Sequence, residues 1–215
     1  MELAEIVRRR RTEKVLGDPS APVTIEPGVA ALRDAALVDA IETAGWAPFH
    51  YDRRIDGICE PWRATLLTHE ACRLVAERLP GWLEASGGGA GKLPAMFAAC
   101  GAAVVVTWIP ERASDGTSPE KFIAINEEHL AASAAFVQNL LLLLTDLDFG
   151  TYWSSGGKLR DPAIATHLDI DPDQRLLAIV FVDYPESRDQ QVERIPGKLR
   201  DKRCTRWLNT WTPAS

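Results

Sequence analysis

One long apolar segment limits what this chain can fold into more than any other feature. It runs from Asn126 to Leu147 (NEEHLAASAAFVQNLLLLLTDL) and contains neither Pro nor Gly. Asn126 is a residue type that caps helices, and Glu127 and Glu128 follow in the first turn, where the helix dipole favours carboxylates. Apolar side chains then occur on every face, which predicts a helix that is buried all round. At 1.5 Å per residue the helix is about 33 Å long, enough to cross a small domain and contact a second subunit.

The residues after this helix predict a polar bend. Gly150 ends the helical pattern, residues 151–153 (TYW) are typical of an extended segment, and the run Ser154–Gly157 (SSGG) breaks it. The chain therefore leaves a buried helix and brings two hydroxyl groups and two glycines into one loop.

Length and composition describe an ordinary globular protein. The 215 residues suit one domain with a sizeable core, and 46% apolar with 25% charged residues are globular values. A formal net charge of −6 and a pI near 5.3 argue against nucleic acid or an anionic membrane as a partner of the whole chain. The charged N-terminus lacks the apolar core of a signal peptide, and Gln138 and Asn139 interrupt the apolar helix. We therefore expect a cytoplasmic protein that does not span a membrane.

The cysteines support the same expectation. Cys59, Cys72, Cys100 and Cys204 follow neither a CxxC nor a zinc spacing, so no metal site is predicted. A chain of this size does not need disulfides to fold, and reduced thiols are the rule in the cytoplasm.

The remaining periodicities predict a small sheet flanked by helices. Helices are expected within residues 2–16 and at 30–44, 70–83 and 161–168, and strands at 64–68, 101–108 and 176–184. Residues 109–121, which contain Pro, Gly and Ser, are expected to form a loop before the long helix. Three strands and about five helices in mixed order indicate an α+β fold with a small mixed β-sheet between helices.

A run of cations near the N-terminus is the first candidate site. Residues 8–14 (RRRRTEK) place four guanidinium groups next to a hydroxyl in an otherwise acidic protein. Such a set suits a phosphate, because guanidinium forks and a hydroxyl supply several donors to its oxygens. The alternative is a solvated helix end whose cations face the negative end of the helix dipole.

An irregular segment further along carries a weaker signal. Residues 46–68 gather aromatic side chains, His50 and Glu60 between two prolines. Loops carried on a rigid scaffold often hold functional residues, but neither His50 nor Glu60 alone indicates a role.

Two other segments have a structural explanation. The glycine-rich run at 86–92 lacks the P-loop spacing and follows no predicted strand, so we expect a surface loop or lid rather than a nucleotide site. The tail, residues 188–211, mixes cations with Trp207 and Trp211. A tail that packs on a neighbouring subunit is favoured over one that binds nucleic acid, because no binding module surrounds it.

Several short motifs, in this order, resemble the nitroreductase family of flavoenzymes. Arg10-Arg11-Thr12 is similar to the family's N-terminal Arg-Arg-Ser. Ala47-Pro48 with Glu60-Pro61-Trp62-Arg63 resembles its AP…QPWRF pattern. Trp153-Ser154-Ser155-Gly156 falls where the family's helix-to-loop segment lines the flavin, and the strand IVFVDYPE follows it. The resemblance extends over most of the chain.

The resemblance implies an architecture and an activity. It implies a nitroreductase-like three-layer sandwich formed by a single domain over residues 1–215, in an intertwined homodimer. A C-terminal arm, about residues 188–215, would pack on the partner subunit. Two FMN sites at the interface would be reduced by NADH or NADPH and would then reduce a nitroaromatic, a quinone or a similar small-molecule acceptor by a ping-pong mechanism.

The resemblance also implies which residues bind the cofactor. The N-terminal run would bind the FMN phosphate, the His and the Glu would border the isoalloxazine ring, and the bend would hydrogen-bond the ring or the phosphate. These residues are Arg10, Arg11, Thr12, His50, Glu60, Trp153, Ser154, Ser155 and Gly156. Lys14 and Lys198 are weaker candidates for the phosphate. No catalytic side chain is expected, because the flavin carries the redox chemistry.

Departures from the family pattern leave the acceptor open. Phe49 stands where family members often have Ser, and residues 52–59 lengthen the segment before Pro61. This insertion and the 86–92 loop could both alter the acceptor pocket. The alternative function is a flavin-binding or sequestering protein of the same fold without reductase turnover.

Overall fold

The computed structural model describes residues 2–87, 89, 91–112 and 118–211, with only the backbone of Asp201. The helices are α1 Leu3–Arg9, α2 Pro27–Ala44, α3 His69–Ala85, α4 Leu93–Ala99, α5 Pro119–Asp146 and α6 Pro162–Ala165. The strands are β1 Glu13–Leu16, β2 Trp62–Leu67, β3 Ala102–Trp108, β4 Gly150–Ser154, β5 Arg175–Asp183 and β6 Glu193–Pro196. The loops predicted at 86–92 and 109–121 lie partly outside the described residues.

The main sheet has four strands in the order β2-β3-β5-β4. Its faces pack against different helices because side chains alternate along each strand. Val104 and Val180 face the layer of α2 and α5, whereas Val105 and Ile179 face the layer of α3, α4 and α6. The predicted α+β three-layer sandwich is therefore confirmed.

The prediction of a mixed sheet was wrong for this chain. Each described pair of neighbouring strands is antiparallel, both in the main sheet and between β1 and β6. β3 and β4 do run in the same direction and are linked through α5, but β5 lies between them. The parallel neighbours that a strand–helix–strand order favours therefore do not form.

The long helix α5 begins earlier than the sequence analysis predicts. It starts at Pro119, seven residues before Asn126, and the Ser118 side chain accepts a hydrogen bond from the Lys121 backbone N–H at 3.3 Å. Proline is favourable at this first position because its missing N–H has no partner within the helix. The C-terminal end at Asp146 agrees with the prediction.

The prediction that α5 is buried all round was also wrong within a single chain. Phe136, Leu140 and Leu144 are buried against the sheet, whereas Leu142 is only half-buried on the opposite face. α5 is long and apolar enough to cross a membrane, but half of its apolar window is buried inside the protein. The outer apolar face is available to a second subunit.

A small sheet joins the two ends of the chain. β1 pairs with β6, and neither strand was predicted. After β6 the tail extends over the surface, where Trp207 is 72% exposed and Trp211 is 83% exposed.

Candidate functional site

The cationic run near the N-terminus divides into two parts. Arg9 donates hydrogen bonds to the Thr145 carbonyl at 3.2 Å and to the Asp148 carboxylate at 2.9 Å, and so ties α1 to the end of α5. Arg10 caps the C-terminal end of α1 and is half-buried, and its Nη1 donates to Thr12 Oγ1 at 3.3 Å. Arg9 therefore has a structural role at the end of α5, whereas the side chain of Arg10 contacts the hydroxyl of Thr12.

Positive charge accumulates around Arg10. Arg200 of the tail donates to the Arg10 carbonyl oxygen at 2.6 Å, and Arg11 is exposed beside it. Burial, followed by the positive charge of Arg200, lowers the pKa of Arg10. Within the described part of the chain, none of these three guanidinium groups forms an ion pair with a carboxylate. This cationic corner, formed by Arg10, Arg11, Thr12 and Arg200, is suited to bind an anion.

The polar bend after β4 lies where the sequence predicts it. Gly156 is buried with φ +86°, and a Cβ there would lie 2.3 Å from Leu176 Cδ2, so any other residue would be strained and would have to displace the Leu176 side chain. The Gly156 N–H donates to Ser154 Oγ at 3.2 Å, while Ser155 is exposed. Trp153 is half-buried against the core on the α5 side. This β4 bend, residues 154–157, presents hydroxyl and backbone N–H groups on a fixed turn.

The cationic corner and the β4 bend belong to neighbouring elements. β1 contacts β4, and Lys14 Nζ lies 4.8 Å from the ring centroid of Tyr152. The Gly197 N–H donates to the Thr12 carbonyl at 2.8 Å, which brings the tail to the same place.

A buried ion pair holds this arrangement on the sheet. Arg194 of β6 donates to Asp183 of β5 at 2.5 Å and to Glu13 of β1 at 3.0 Å. Asp183 is 4% exposed, and Ser187 donates a further hydrogen bond to it. Burial is the largest influence on the pKa of Arg194 and lowers it, but the hydrogen bonds and negative charges of Asp183 and Glu13 together outweigh burial and raise this pKa. The hydrogen bonds of Arg194 therefore fix β1 and β6 against β5.

His50 and Glu60 lie in the β2-edge loop, residues 45–61, which joins α2 to β2. His50 is exposed and lines a groove of about 430 Å³ together with Phe49 and with Glu128 of α5. Glu60 is half-buried in a separate groove of about 220 Å³. Phe49 packs edge-on against Trp62 at 5.7 Å between ring centroids. The structure therefore places His50 and Glu60 near one another in the fold but in different grooves.

The nine predicted cofactor-binding residues fall into two groups. β2 and β4 are the opposite edges of the four-stranded sheet, so the β2-edge loop and the β4 bend are separated by three strand spacings, ~14 Å. The cationic corner lies beside the start of β4, at the same edge of the sheet as the bend that ends this strand, whereas His50 and Glu60 lie with the other edge. Within one chain the two groups therefore lie at opposite edges of the sheet.

The Nitroreductase family model matches residues 30–184, from α2 to the end of β5. The chain belongs to the nitroreductase family. It is 23% identical over 214 residues to YfhC of Bacillus subtilis (strain 168), provisionally named as an NAD(P)H nitroreductase. This alignment covers 93% of the present chain and 92% of YfhC.

Solved structures of nitroreductases share the fold. The nitroreductase-like family protein from Bacillus cereus matches with a TM-score of 0.62 and 22% identity, covering 86% of each chain. A protein from Desulfovibrio desulfuricans, provisionally named as a nitroreductase and solved in complex with FMN, matches with a TM-score of 0.56 and 16% identity. That match covers 86% of this chain and 87% of the other.

The residues of this nitroreductase fit a phosphorylated flavin by their donor chemistry. The cationic corner supplies guanidinium and hydroxyl donors without a competing carboxylate among the described residues, as a phosphate requires. Three of its residues precede residue 30 and Arg200 follows residue 184, so the corner lies outside the matched range and its assignment depends on the geometry.

Arg200 is the residue that the sequence analysis missed. The tail was known to be cationic, but only the pairing of β1 with β6 shows that the tail returns to Arg10.

Proposed function

We propose that this nitroreductase-family protein is an FMN-dependent oxidoreductase. It takes electrons from NADH or NADPH and passes them to a nitroaromatic, a quinone or a similar small molecule by a ping-pong mechanism. When bound, FMN supplies the two-electron chemistry. The observation that carries the proposal is the cationic corner beside the start of β4, the strand that leads into the β4 bend. The FMN in the Desulfovibrio desulfuricans protein and the reductant in the name of YfhC support it.

In this proposal the cationic corner holds the FMN phosphate. Arg10 and Arg11 neutralise its charge, and Thr12 donates a hydrogen bond to it. Arg200 adds a third cation, because it is already anchored on the Arg10 carbonyl. Lys198 and Lys14 are next to these residues in the tail and in β1, and we assign them no direct role.

The β4 bend orients the ring. Ser154 Oγ accepts the Gly156 N–H, so the hydroxyl hydrogen of Ser154 remains available to an acceptor on the cofactor. Ser155 is exposed and can donate in the same direction, and Trp153 supports the strand from below. These fixed donors select the ring position without a conformational rearrangement, and hydrogen bonds to the ring tune its potential.

A second subunit completes the site. We propose a homodimer that forms through the outer face of α5, with each tail, about residues 188–215, packed on the partner. His50 and Glu60 of the partner subunit then border the ring held by the first chain. The half-buried Leu142 and the exposed tail tryptophans are consistent with this arrangement, since subunit interfaces cover such surfaces. Cytoplasmic location stays a prediction.

The first experiment tests the cofactor and the reductant together. Protein purified with added FMN and freed of excess should be yellow, and NADH or NADPH should bleach it under anaerobic conditions. Yellow protein that neither nucleotide bleaches would support the alternative, a flavin-binding or sequestering protein. Colourless protein that takes up no FMN would exclude both functions.

The second experiment tests the phosphate assignment. Replacing Arg10 and Arg11 together by Ala removes two charged donors, each contributing about 1.5–3 kcal/mol, so FMN affinity should fall about 100-fold or more. Arg8→Ala is the matched control, because Arg8 is an exposed arginine on the same helix. Unchanged FMN affinity in the double variant would show that the phosphate binds elsewhere.

A further inference from the structure

A cavity separate from the two grooves at the β2 edge lies at one end of the main sheet. Its volume is about 590 Å³, which is within the range of small-molecule sites. Its described lining contains none of the nine residues predicted to bind FMN. It is therefore a candidate for a site with a different occupant.

The cavity exists because two strands end there. Trp108 is the last residue of β3, and its cross-strand partner Arg175 is the first residue of β5. Beyond this pair no described strand separates the two helical layers. Leu130 of α5 lines the cavity from one layer, while Leu159 and Leu176 line it from the other. The interior is therefore apolar, with an indole at its edge.

The mouth of the cavity is cationic. Arg160 Nη2 donates to the Leu176 carbonyl at 3.2 Å, and Arg175 Nη1 donates to the Pro172 carbonyl at 3.0 Å. These bonds to neutral carbonyls hold both guanidinium groups at the rim and leave their charge uncompensated. Among the described residues neither arginine forms an ion pair with a carboxylate.

One carboxylate is also present in the lining. Asp171 accepts a hydrogen bond from the Asp173 backbone N–H at 2.7 Å and so belongs to its own turn. Two arginines and one aspartate give the lining a formal charge of one positive unit. That charge matches a monoanion better than a phosphate dianion, which Asp171 would repel.

We propose that this cavity binds a small amphipathic monoanion, an apolar ring system that carries one carboxylate. The ring system occupies the space between Trp108, Leu130 and Leu176. The carboxylate pairs with Arg160 and Arg175, whose planar forks match its geometry. Because the site shares no predicted FMN-binding residue, its occupation does not require the flavin site to be empty.

The test uses 2-naphthoate as the probe, with 2-naphthamide as its neutral counterpart. Isothermal titration into FMN-saturated protein should show one 2-naphthoate per chain, and the amide should bind about 10-fold more weakly or worse, since it lacks the charge that pairs with the arginines. Arg160→Gln combined with Arg175→Gln should weaken 2-naphthoate by about 10-fold or more. Arg78→Gln is the control, because Arg78 is an exposed arginine on α3, and it should leave the affinity unchanged.

Four results would overturn the proposal. They are no binding of 2-naphthoate by the wild-type protein, equal binding of the acid and the amide, an unchanged affinity in the double arginine variant, and release of FMN as 2-naphthoate binds. Each result is read on 2-naphthoate or on bound FMN, not on turnover. A negative result for this cavity would therefore not decide whether NADH or NADPH reduces the bound flavin, because that reaction is measured separately.

Discussion

The two edges of the main sheet differ in how completely one chain builds them. At the β4 edge, Asp183 is 4% exposed and ion-paired, and Gly156 is buried against Leu176. At the β2 edge, Trp46 is 89% exposed and Phe49 is 39% exposed, although both are large and apolar. The difference teaches that one chain by itself fixes the groups proposed to hold the phosphate and the ring, whereas the loop with His50 and Glu60 presents an apolar surface of the kind that another subunit would cover.

The largest expected effect tests whether the β4 edge is preformed by its buried ion pair. Arg194→Met would leave the Asp183 carboxylate buried with only the Ser187 hydroxyl beside it. Removing one partner of a buried pair should lower the free energy of unfolding by about 3 kcal/mol. Urea unfolding at a fixed FMN concentration measures it, since bound cofactor itself adds stability.

Arg206→Met provides the control for that experiment. Arg206 is an exposed tail residue, so its replacement should leave the unfolding free energy within about 0.5 kcal/mol. A loss below about 1 kcal/mol in the Arg194 variant would mean that the pair does not hold the β4 edge together.

A smaller effect tests the close approach in the β4 bend. Gly156→Ala places a Cβ at positive φ and 2.3 Å from Leu176, so it should lower the unfolding free energy by about 2 kcal/mol or more. Gly157→Ala is the matched control, because its φ is also positive at +51° but the nearest atom lies at 3.8 Å. It should lose about 1 kcal/mol from the backbone alone. Equal losses in the two variants would contradict a packed bend.

The smallest expected effect is a loss of stability at low pH, caused by a buried histidine next to the β2 edge. His129 of α5 is 1% exposed, its Nε2 lies 4.0 Å from the Glu111 carboxylate, and Arg53 of the β2-edge loop is close by. Burial lowers the pKa of His129 below the ordinary 6.5; Glu111 opposes this shift and Arg53 adds to it. The unfolded chain then binds a proton below pH 6.5 that the folded chain resists, so stability is lost as the pH falls.

Urea unfolding at pH 7.5 and pH 5.5 checks this direction. The unfolding free energy should fall by about 1 kcal/mol through His129. His69 adds a loss in the same direction, because burial also lowers its pKa. His129→Phe should reduce the difference between the two pH values. If the change in unfolding free energy between the two pH values is the same in that variant, His129 does not cause the loss of stability.

Local periodicity was sufficient for the buried core elements. β3 and β5 were predicted within one residue of their observed ends because short, continuous β-branched and apolar runs are typical of buried strands. β1 and β6 were missed, since each has only four residues and exists only because the other pairs with it from the far end of the chain. The start of α5 was missed because Ser118-Pro119 was interpreted as a loop rather than as a cap followed by a first turn.

The candidate site divides in the same way. Residue types alone left the cationic run open between an anion site and a solvated helix end; the family resemblance singled out Arg10 and Thr12, whose side chains share a hydrogen bond. Arg200 needed the long-range pairing of β1 with β6. Composition also shows that α5 is apolar all round, but it does not tell whether the same chain or another one covers each face.

Mixing two inactive variants tests most directly whether two chains complete one flavin site. One chain carries Arg10→Ala with Arg11→Ala, and the other carries His50→Ala with Glu60→Ala, so each homodimer has two damaged sites. After the two are unfolded together and refolded at equal concentration, random pairing gives hybrid dimers with one intact site, about a quarter of all sites. The account predicts that tight FMN binding and NAD(P)H-dependent bleaching return at about that fraction. Recovery of neither in verified hybrid dimers would contradict a site shared between subunits.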